Sequence, residues 1–368
     1  MSVAGKKQIV KFAPKGADSF YDAIKHRVEE YFQRENINTH ANRKMRIKTA
    51  VMISLYFVPY LCMATGLLSF STWLFFGSWL LMGLGIVGIG ASVMHDSNHG
   101  SYSSNKHVNN ILGNILNVLG GYSRNWKIQH NILHHTYTNL DGLDEDIDAG
   151  ILLRMCPHKR RYGIHRFQHI YAWFLYSLMN LFWISVKDFR LLFRYEKNGL
   201  LRKQKVSLRK ALTELTLLKV LYVAYMLVIP MLFSGFAVWE VILGFVGMHM
   251  VAGLALACIF QPAHVMESSE FPAPTDDHRI ENTWAIHQLL NTTNFSPKSV
   301  VTSWFIGGLN FQIEHHLFPH VCHVHYPALS RIVSKAAAEY NLPYQVQPTF
   351  LQALWMHGRM LKELGRKG

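Results

Sequence analysis

Two long stretches that are nearly free of charge constrain this chain more than any other feature. Residues 49–94 contain neither a charged residue nor a histidine, and residues 215–260 contain only two charges, Lys219 and Glu240. A helix needs about 20 mainly apolar residues to cross the hydrocarbon core of a bilayer, so each stretch has room for two crossings. Polar breaks near residues 69–72 and 230–235 divide the stretches. The sequence therefore predicts an all-α integral membrane protein.

The predicted architecture has four transmembrane helices in two hairpins, below a cytosolic helical cap. We expect the crossings at about residues 49–69, 73–94, 214–234 and 240–260. Half of the 368 residues are apolar and 16% are charged, against roughly 25% charged in soluble proteins. The net charge of +14 could suit nucleic acid, but the chain has no recognition motif for it. We expect a lipid bilayer, and no nucleic acid, among its partners.

The distribution of basic residues predicts the orientation. Arg43, Lys44, Arg46 and Lys48 precede the first predicted helix, whereas both hairpin tips lack lysine and arginine. By the positive-inside rule both termini lie in the cytosol. The membrane is then the inner membrane of a bacterium or the endoplasmic reticulum of a eukaryote. We expect a cytosolic lead-in over residues 1–44, a membrane domain over 45–335 and a cytosolic tail over 336–368.

One further segment, residues 167–186, is long enough to span the bilayer. Its glutamine, histidine, asparagine and many aromatic residues suit the membrane interface better than the bilayer centre. We therefore interpret it as a helix on the cytosolic surface.

Three histidine-rich clusters follow predicted helices on the cytosolic side. Residues i, i+3 and i+4 share one face of a helix. His95 is therefore expected to point the same way as His99, His130 the same way as His134, and Gln312 the same way as His315 and His316. Adjacent histidine pairs are expected by chance in a chain with 21 histidines, but three patterned clusters on one membrane face are not. The clusters are His95 and His99 in HDSNH, His130, His134 and His135 in HNILHH, and Gln312, His315 and His316 in QIEHH.

The clusters predict a metal site, since neutral imidazole is the commonest metal ligand in proteins. Seven or eight histidines exceed the four ligands of one tetrahedral zinc ion and fit two metal ions better. Imidazole suits iron, copper, nickel and zinc alike, so the residue types leave the metal open.

HDSNH, HNILHH and QIEHHLFP resemble the three histidine boxes of membrane fatty-acid desaturases. The glutamine that opens the third box resembles the front-end (Δ5/Δ6, linoleoyl-CoA desaturase-like) branch. The resemblance covers about residues 45–335. It implies a non-haem di-iron centre on the cytosolic side. Such a centre uses O₂ and two electrons to insert a cis double bond into the acyl chain of an acyl-CoA or a lipid.

The resemblance also implies the site residues. His264, in QPAHVMESSEF, matches a family histidine between the fourth helix and the third box. Gln312 stands where other desaturases have a ligand histidine, and we expect it to act at the metal directly or through water. Asp96, like Asp144 and Asp146, either orients a ligating imidazole or is a cap or loop charge. The implied metal ligands are His95, His99, His130, His134, His135, His264, His315 and His316.

Two questions of function stay open at this point. The chain lacks the His-Pro-Gly-Gly motif of a fused cytochrome b5 domain, so we expect electrons from a separate ferredoxin, or from cytochrome b5 with its reductase. A lipid hydroxylase or alkane monooxygenase of the same superfamily would need the same metals. A metal or proton transporter would place histidines or carboxylates at mid-membrane depth, where the predicted spans contain only His249.

Overall fold

The structure is a computed structural model that describes residues 10–14, 16 and 19–366, and it is mainly helical. The helices are α1 (Phe20–Arg34), α2 (Arg43–Ala64), α3 (Thr72–His99), α4 (Lys106–Gly113), α5 (Ile115–Val118), α6 (residues 123–137), α7 (Gln168–Phe182), α8 (Asp188–Lys197), α9 (Leu200–Lys203), α10 (Leu208–Phe233), α11 (Val238–His264), α12 (Trp284–Asn291), α13 (Val300–Phe305), α14 (Gln312–Leu317), α15 (Tyr326–Glu339) and α16 (Phe350–Arg366). Turns of 3₁₀ helix lie at Gly163–Phe167 and His323–His325. Turns of π helix lie at Ile89–Met94, Lys127–His134, Trp183–Lys187 and Ala224–Val228.

Sheet structure is limited to two short parallel pairs within the described residues. The strands are β1 (Lys11–Phe12), β2 (Arg279–Ile280), β3 (Asn294–Phe295) and β4 (Val346–Gln347). In β1–β2, Lys11 lies opposite Arg279. In β3–β4, Asn294 lies opposite Val346.

Four helices in the described part of the chain are long and apolar enough to cross a membrane: α2, α3, α10 and α11, with 22, 28, 26 and 27 residues. The predicted four-helix architecture is therefore confirmed. Two of these helices run past the C-terminal ends of the predicted crossings, α3 to His99 and α11 to His264. Gly100, at φ +77°, caps α3 in the left-handed conformation that glycine adopts most easily. Candidate ligand histidines thus lie at the ends of two rigid helices.

Glycines allow the spans to approach each other closely. A Cβ atom at Gly85 of α3 would lie 3.0 Å from the backbone nitrogen of Tyr56 in α2. A Cβ atom at Gly244 of α11 would overlap the Trp79 ring of α3. These contacts hold α3 between α2 and α11. The C-terminal end of α3, which carries His95 and His99, therefore has a fixed position.

The segment over residues 167–186 forms α7 and the π turn that follows it. A Cβ atom at Gly253 of α11 would lie 2.6 Å from the Ser177 carbonyl oxygen, so α7 packs closely on α11. Asn180 Nδ2 is 2.8 Å from Nδ1 of His249. The exposed face of α7 carries Phe174 and Phe182. The helix therefore lies against the fourth span, with an apolar face turned outward.

The C-terminal region folds back onto the rest of the protein. The predicted boundary at residue 335 falls inside α15, which packs against α1 in a core that includes Ile24 and Leu329. In α16, Nδ1 of His357 is 2.8 Å from the Val265 carbonyl oxygen, just after α11 ends. These contacts fix the elements around the end of the fourth span.

Candidate metal centre

The eight candidate histidines converge from four helices on one place. His95 and His99 come from the end of α3, and His264 from the last residue of α11. The second cluster lies on α6 and the third on α14. Seven of the eight are buried, and His99 is half-buried. Residues that are far apart in sequence therefore build one enclosed imidazole cluster.

The histidines divide into two adjoining groups, each with ligand atoms within 4.8 Å of one another. His135 lies between the groups and forms a third set with His315 and His316. Its Nε2 is 3.2 Å from Nε2 of His130. This arrangement offers two neighbouring metal positions. The first group is His95, His99, His130 and His315, and the second is His134, His264 and His316.

A π-helical turn decides how the second cluster divides. In an α-helix, His130 and His134 would share a face. Here Lys127–His134 is π-helical, and this geometry brings residues five apart together. His130 therefore meets His135 and belongs to the first group, whereas His134 belongs to the second. The rings of His130 and His134 still stack on each other, with their centroids 5.3 Å apart.

Hydrogen bonds behind the rings orient two candidate ligands of the second group. Nδ1 of His134 is 3.1 Å from both carboxylate oxygens of Asp144. Nδ1 of His264 is 3.3 Å from the Asn291 carbonyl oxygen. An imidazole that donates its Nδ1 proton presents the Nε2 lone pair, which is how protein groups behind a metal ligand fix its tautomer.

The third cluster is oriented in the same way. Nδ1 of His315 is 3.2 Å from the Tyr326 hydroxyl, and Nδ1 of His316 is 2.8 Å from Oε1 of Gln288. The sequence analysis singled out neither Tyr326 nor Gln288, since neither belongs to a histidine motif. The tertiary fold alone places these two side chains next to the Nδ1 atoms of His315 and His316.

The ring nitrogens that point into the histidine cluster are suited to bind metal ions. Nε2 of His99, His315 and His316 has no hydrogen-bond partner among the described residues, although buried polar atoms in folded proteins are almost always paired. Orphaned nitrogens that converge from oriented rings are what bound metal ions would satisfy.

Electrostatics keeps most of these rings neutral. Burial lowers the pKa of four of them well below the usual value of 6.5, and the neighbouring histidines lower it further. Neutral imidazole is the form that binds metal. The four are His130, His135, His315 and His316.

His134 is the exception in this set. Burial alone would lower its pKa, but the carboxylates of Asp144 and Asp146 outweigh burial and raise it to about 9. The carboxylate of Asp144 would therefore make His134 a more strongly donating ligand for a metal ion.

Comparison with known proteins identifies the chain. The sequence model of the fatty acid desaturase family matches residues 71–348. The chain is 34% identical over 365 residues to the sn-1 linoleoyl-lipid 6-desaturase of Synechocystis sp., covering 97% of this chain and 98% of that protein. It is 36% identical over 366 residues to the acyl-lipid (8-3)-desaturase of Physcomitrium patens, covering 98% of this chain and 74% of that protein.

The chain belongs to the fatty acid desaturase family. It is an oxidoreductase of lipid metabolism that desaturates acyl chains, and its relatives are front-end desaturases. The predicted family and activity are thereby confirmed. The fold of this desaturase supplies histidine groups that can hold metal.

The structure places Gln312 at the edge of the desaturase centre. Its side chain is buried and lies close to the His264 ring. Its Nε2 has no partner among the described residues. The residue therefore presents an unsatisfied polar atom beside the second histidine group.

Asp96 lies behind the first group, in a buried polar chain. One carboxylate oxygen is 3.9 Å from Nδ1 of His95, and the other is 2.8 Å from Nδ1 of His323. Nε2 of His323 is 2.7 Å from Nζ of Lys48. Asp96 thus connects His95 to a buried lysine.

Two other histidines of the desaturase near the centre use both ring nitrogens for protein contacts. His323 does so between Asp96 and Lys48. His287 bonds the Thr138 carbonyl at 2.9 Å and Nδ2 of Asn291 at 3.2 Å. Neither has a free nitrogen for metal.

Glu314 ties the third histidine cluster to the rest of the desaturase. It accepts hydrogen bonds at 2.8 Å from Asn294 Nδ2 and from the Tyr344 hydroxyl. The Asn294 side chain in turn accepts from the backbone N–H of Ile313. Burial raises the pKa of Glu314 to about 7. These bonds anchor α14 to β3, and so hold His315 and His316 in place.

Proposed function

We propose that this desaturase acts on lipid-bound acyl chains and inserts a cis double bond on the carboxyl side of an existing one, at a pair of non-haem iron ions. The observation that carries the proposal is the pair of adjoining histidine groups, with oriented rings and orphaned inner nitrogens. The proposed ligands are His95, His99, His130, His134, His135, His264, His315 and His316. The named substrates of the relatives, a linoleoyl lipid in one case, support the substrate class.

The iron would supply the activation of O₂ that an unactivated C–H bond requires, because such chemistry belongs to the cofactor. The protein supplies orientation and exclusion of water. Asp144, Asn291, Tyr326 and Gln288 fix the ligand rings. An apolar cavity that reaches His95 receives part of the acyl chain.

The fatty-acid profile of a desaturase-poor host tests the activity. We expect expression of this chain to create an acyl species with one additional cis double bond. Analysis of the intact lipids separates lipid-bound from CoA-bound substrate, because new double bonds appear first in the pool that the enzyme uses. Hydroxylated fatty acids without new double bonds would instead identify a lipid hydroxylase and contradict the proposal.

Gln312 should be required for turnover. Gln312→His keeps a nitrogen of similar reach, so iron and some activity should remain. Gln312→Leu removes the amide beside His264. A buried polar group that loses its hydrogen-bond partner in this way costs roughly 1–3 kcal/mol. We expect most activity to be lost in the leucine variant. Product formation per enzyme molecule measures the effect, and wild-type activity of Gln312→Leu would make the residue a bystander.

We also propose that the electrons come from a separate acidic carrier, a ferredoxin or cytochrome b5. An exposed basic cluster supports this proposal. Arg202, Lys203 and Lys205 lie together and exposed after α8. An acidic protein would be attracted to them over a Debye length of about 8 Å at physiological ionic strength.

Reconstitution tests the donor. Purified enzyme with O₂ and substrate alone should be silent, and a ferredoxin or cytochrome b5 system should start turnover. Added salt should slow this turnover, because it screens the attraction between donor and enzyme. A small chemical reductant that bypasses the carrier should show no such dependence. Carrier-driven turnover that is insensitive to salt would remove the electrostatic part of the proposal.

Both termini are proposed to lie in the cytosol, on the side of the histidine centre. The hairpin tips near residues 70 and 236 then face the opposite side. An impermeant thiol reagent added outside intact cells should label Phe70→Cys above the wild-type background, because Phe70 is exposed. It should not label Asn198→Cys until the membrane is opened. Outside labelling at residue 198 would mean that α7 crosses the membrane.

A further inference from the structure

A cavity of about 50 Å³ opens beside His95, between α3, α7 and α11. Its wall is mainly apolar, and α3 contributes the row of Ile86, Gly90 and Met94 that leads to His95. On the facing side it is closed by Leu256 and Phe260 of α11 and by Trp183. The cavity therefore extends from the proposed metal centre along α3.

The glycines of α3 differ in what surrounds them. A Cβ atom at Gly83 would lie 2.7 Å from the Met248 carbonyl oxygen, and a Cβ atom at Gly88 would overlap the Met52 side chain. The backbone of α11 thus leaves no room for a side chain at Gly83, and a side chain at Gly88 would have to displace Met52.

Gly90 has no such neighbour. The nearest heavy atom to a Cβ atom there, apart from the helix itself, is Cδ2 of Leu256 at 4.0 Å. Gly90 also lies in the π turn directly before His95 and lines the cavity. The close contacts at Gly83 and Gly88 have no counterpart at Gly90. A side chain at residue 90 would therefore fill part of the cavity.

We propose that Gly90 determines acyl-chain length selectivity, because its missing side chain leaves room for the part of the acyl chain beyond the reacting carbons. This inference rests on the proposed function. A polar lipid headgroup cannot enter a mainly apolar cavity without losing hydration. The cavity therefore receives the methyl side of the chain, and space at Gly90 limits how many methylene groups fit there.

A graded series of side chains at residue 90 should move the selectivity stepwise. Gly90→Ala, Gly90→Val and Gly90→Leu fill progressively more of the cavity. Each methylene group of the substrate that is no longer buried lowers the preference for the longer chain by about fourfold. The two test substrates are oleoyl and palmitoleoyl chains, which carry their existing double bond at the same distance from the carboxyl carbon and differ only on the methyl side. We expect the oleoyl-to-palmitoleoyl desaturation ratio to fall slightly in Gly90→Ala and about tenfold in Gly90→Val. The double bond should stay at the same distance from the carboxyl carbon.

The experiment offers both chain lengths to the same cells, so that the amount of enzyme cancels from the ratio. The matched control is Gly77→Leu, which adds the same side chain to the same helix at an exposed position with nothing within 4 Å among the described residues. It should keep the wild-type ratio. A falling ratio in the Gly90 series together with an unchanged ratio in Gly77→Leu is the expected result.

Other outcomes would overturn the assignment. One is a wild-type ratio in Gly90→Leu, and another is an equal loss for both chain lengths across the series. If the larger variants fail to accumulate in the cells, Gly90→Ala tests the proposal alone. Its desaturation ratio of the longer to the shorter chain must then fall, by a smaller factor than in the larger variants. A wild-type enzyme that forms no new double bond at either length would defeat the proposed function itself, which is a distinguishable failure.

Discussion

His315→Ala and His134→Ala should each abolish desaturation and lower the iron content, while the protein still inserts into membranes. The two residues belong to different histidine groups, so each variant should weaken a different metal position. Wild-type protein purified with its metal retained should hold about two iron ions per chain. Iron analysis, product formation and membrane fractionation together measure the effect.

The matched control is another buried histidine that holds no metal. His357 is buried and bonds the Val265 carbonyl oxygen and the Tyr176 hydroxyl, each at 2.8 Å. His357→Gln should therefore keep both iron ions, even if stability falls. Stoichiometric zinc in active wild-type enzyme would contradict the iron proposal. So would full activity in both alanine variants.

The membrane architecture could be predicted because hydrocarbon imposes a simple rule on sequence. A span must carry about 20 apolar residues and satisfy its backbone hydrogen bonds internally, and residues 49–94 and 215–260 show this directly. The ends of the spans could not be predicted, because α3 and α11 continue beyond the apolar runs to His99 and His264. Protein packing, not lipid, stabilises those last turns.

The histidine motifs predicted that the ligands belong together, but not how they divide. The π turn at Lys127–His134 brings His130 against His135, five residues along the chain, and periodicity in a sequence does not reveal such a turn. The side chains that hydrogen-bond the candidate ligands from behind could not be predicted from the sequence either. Tyr326 and Gln288 meet His315 and His316 through the tertiary fold alone.

His249 shows how structure settles an alternative that sequence leaves open. A histidine inside a span could serve a transport path. In the folded protein its Nδ1 bonds Asn180 and its Nε2 bonds the Tyr222 hydroxyl at 2.7 Å. With both nitrogens engaged by protein partners, the ring fastens α7 and α10 to α11. Its role is structural, in agreement with the family to which the chain belongs.

Asp144→Asn should lower iron affinity by about 10- to 100-fold, the usual effect of losing a group that orients a metal ligand. Both oxygens of Asp144 face Nδ1 of His134. They also accept backbone N–H bonds from Asn139 and Asp146, at 2.9 and 3.0 Å. Every partner of this carboxylate is therefore a donor. An asparagine amide must turn its own N–H₂ group toward one of them.

The matched control removes the same charge from the same loop. Asp148 is exposed and pairs with Lys159 at 2.6 Å and with Arg194, away from His134. Iron retained during a challenge with increasing chelator concentrations compares the two variants. Asp148→Asn should follow the wild-type curve, and Asp144→Asn should release iron at lower chelator concentration. Identical curves would mean that Asp144 only shapes the loop, since a general loss of negative charge near the centre would affect both variants.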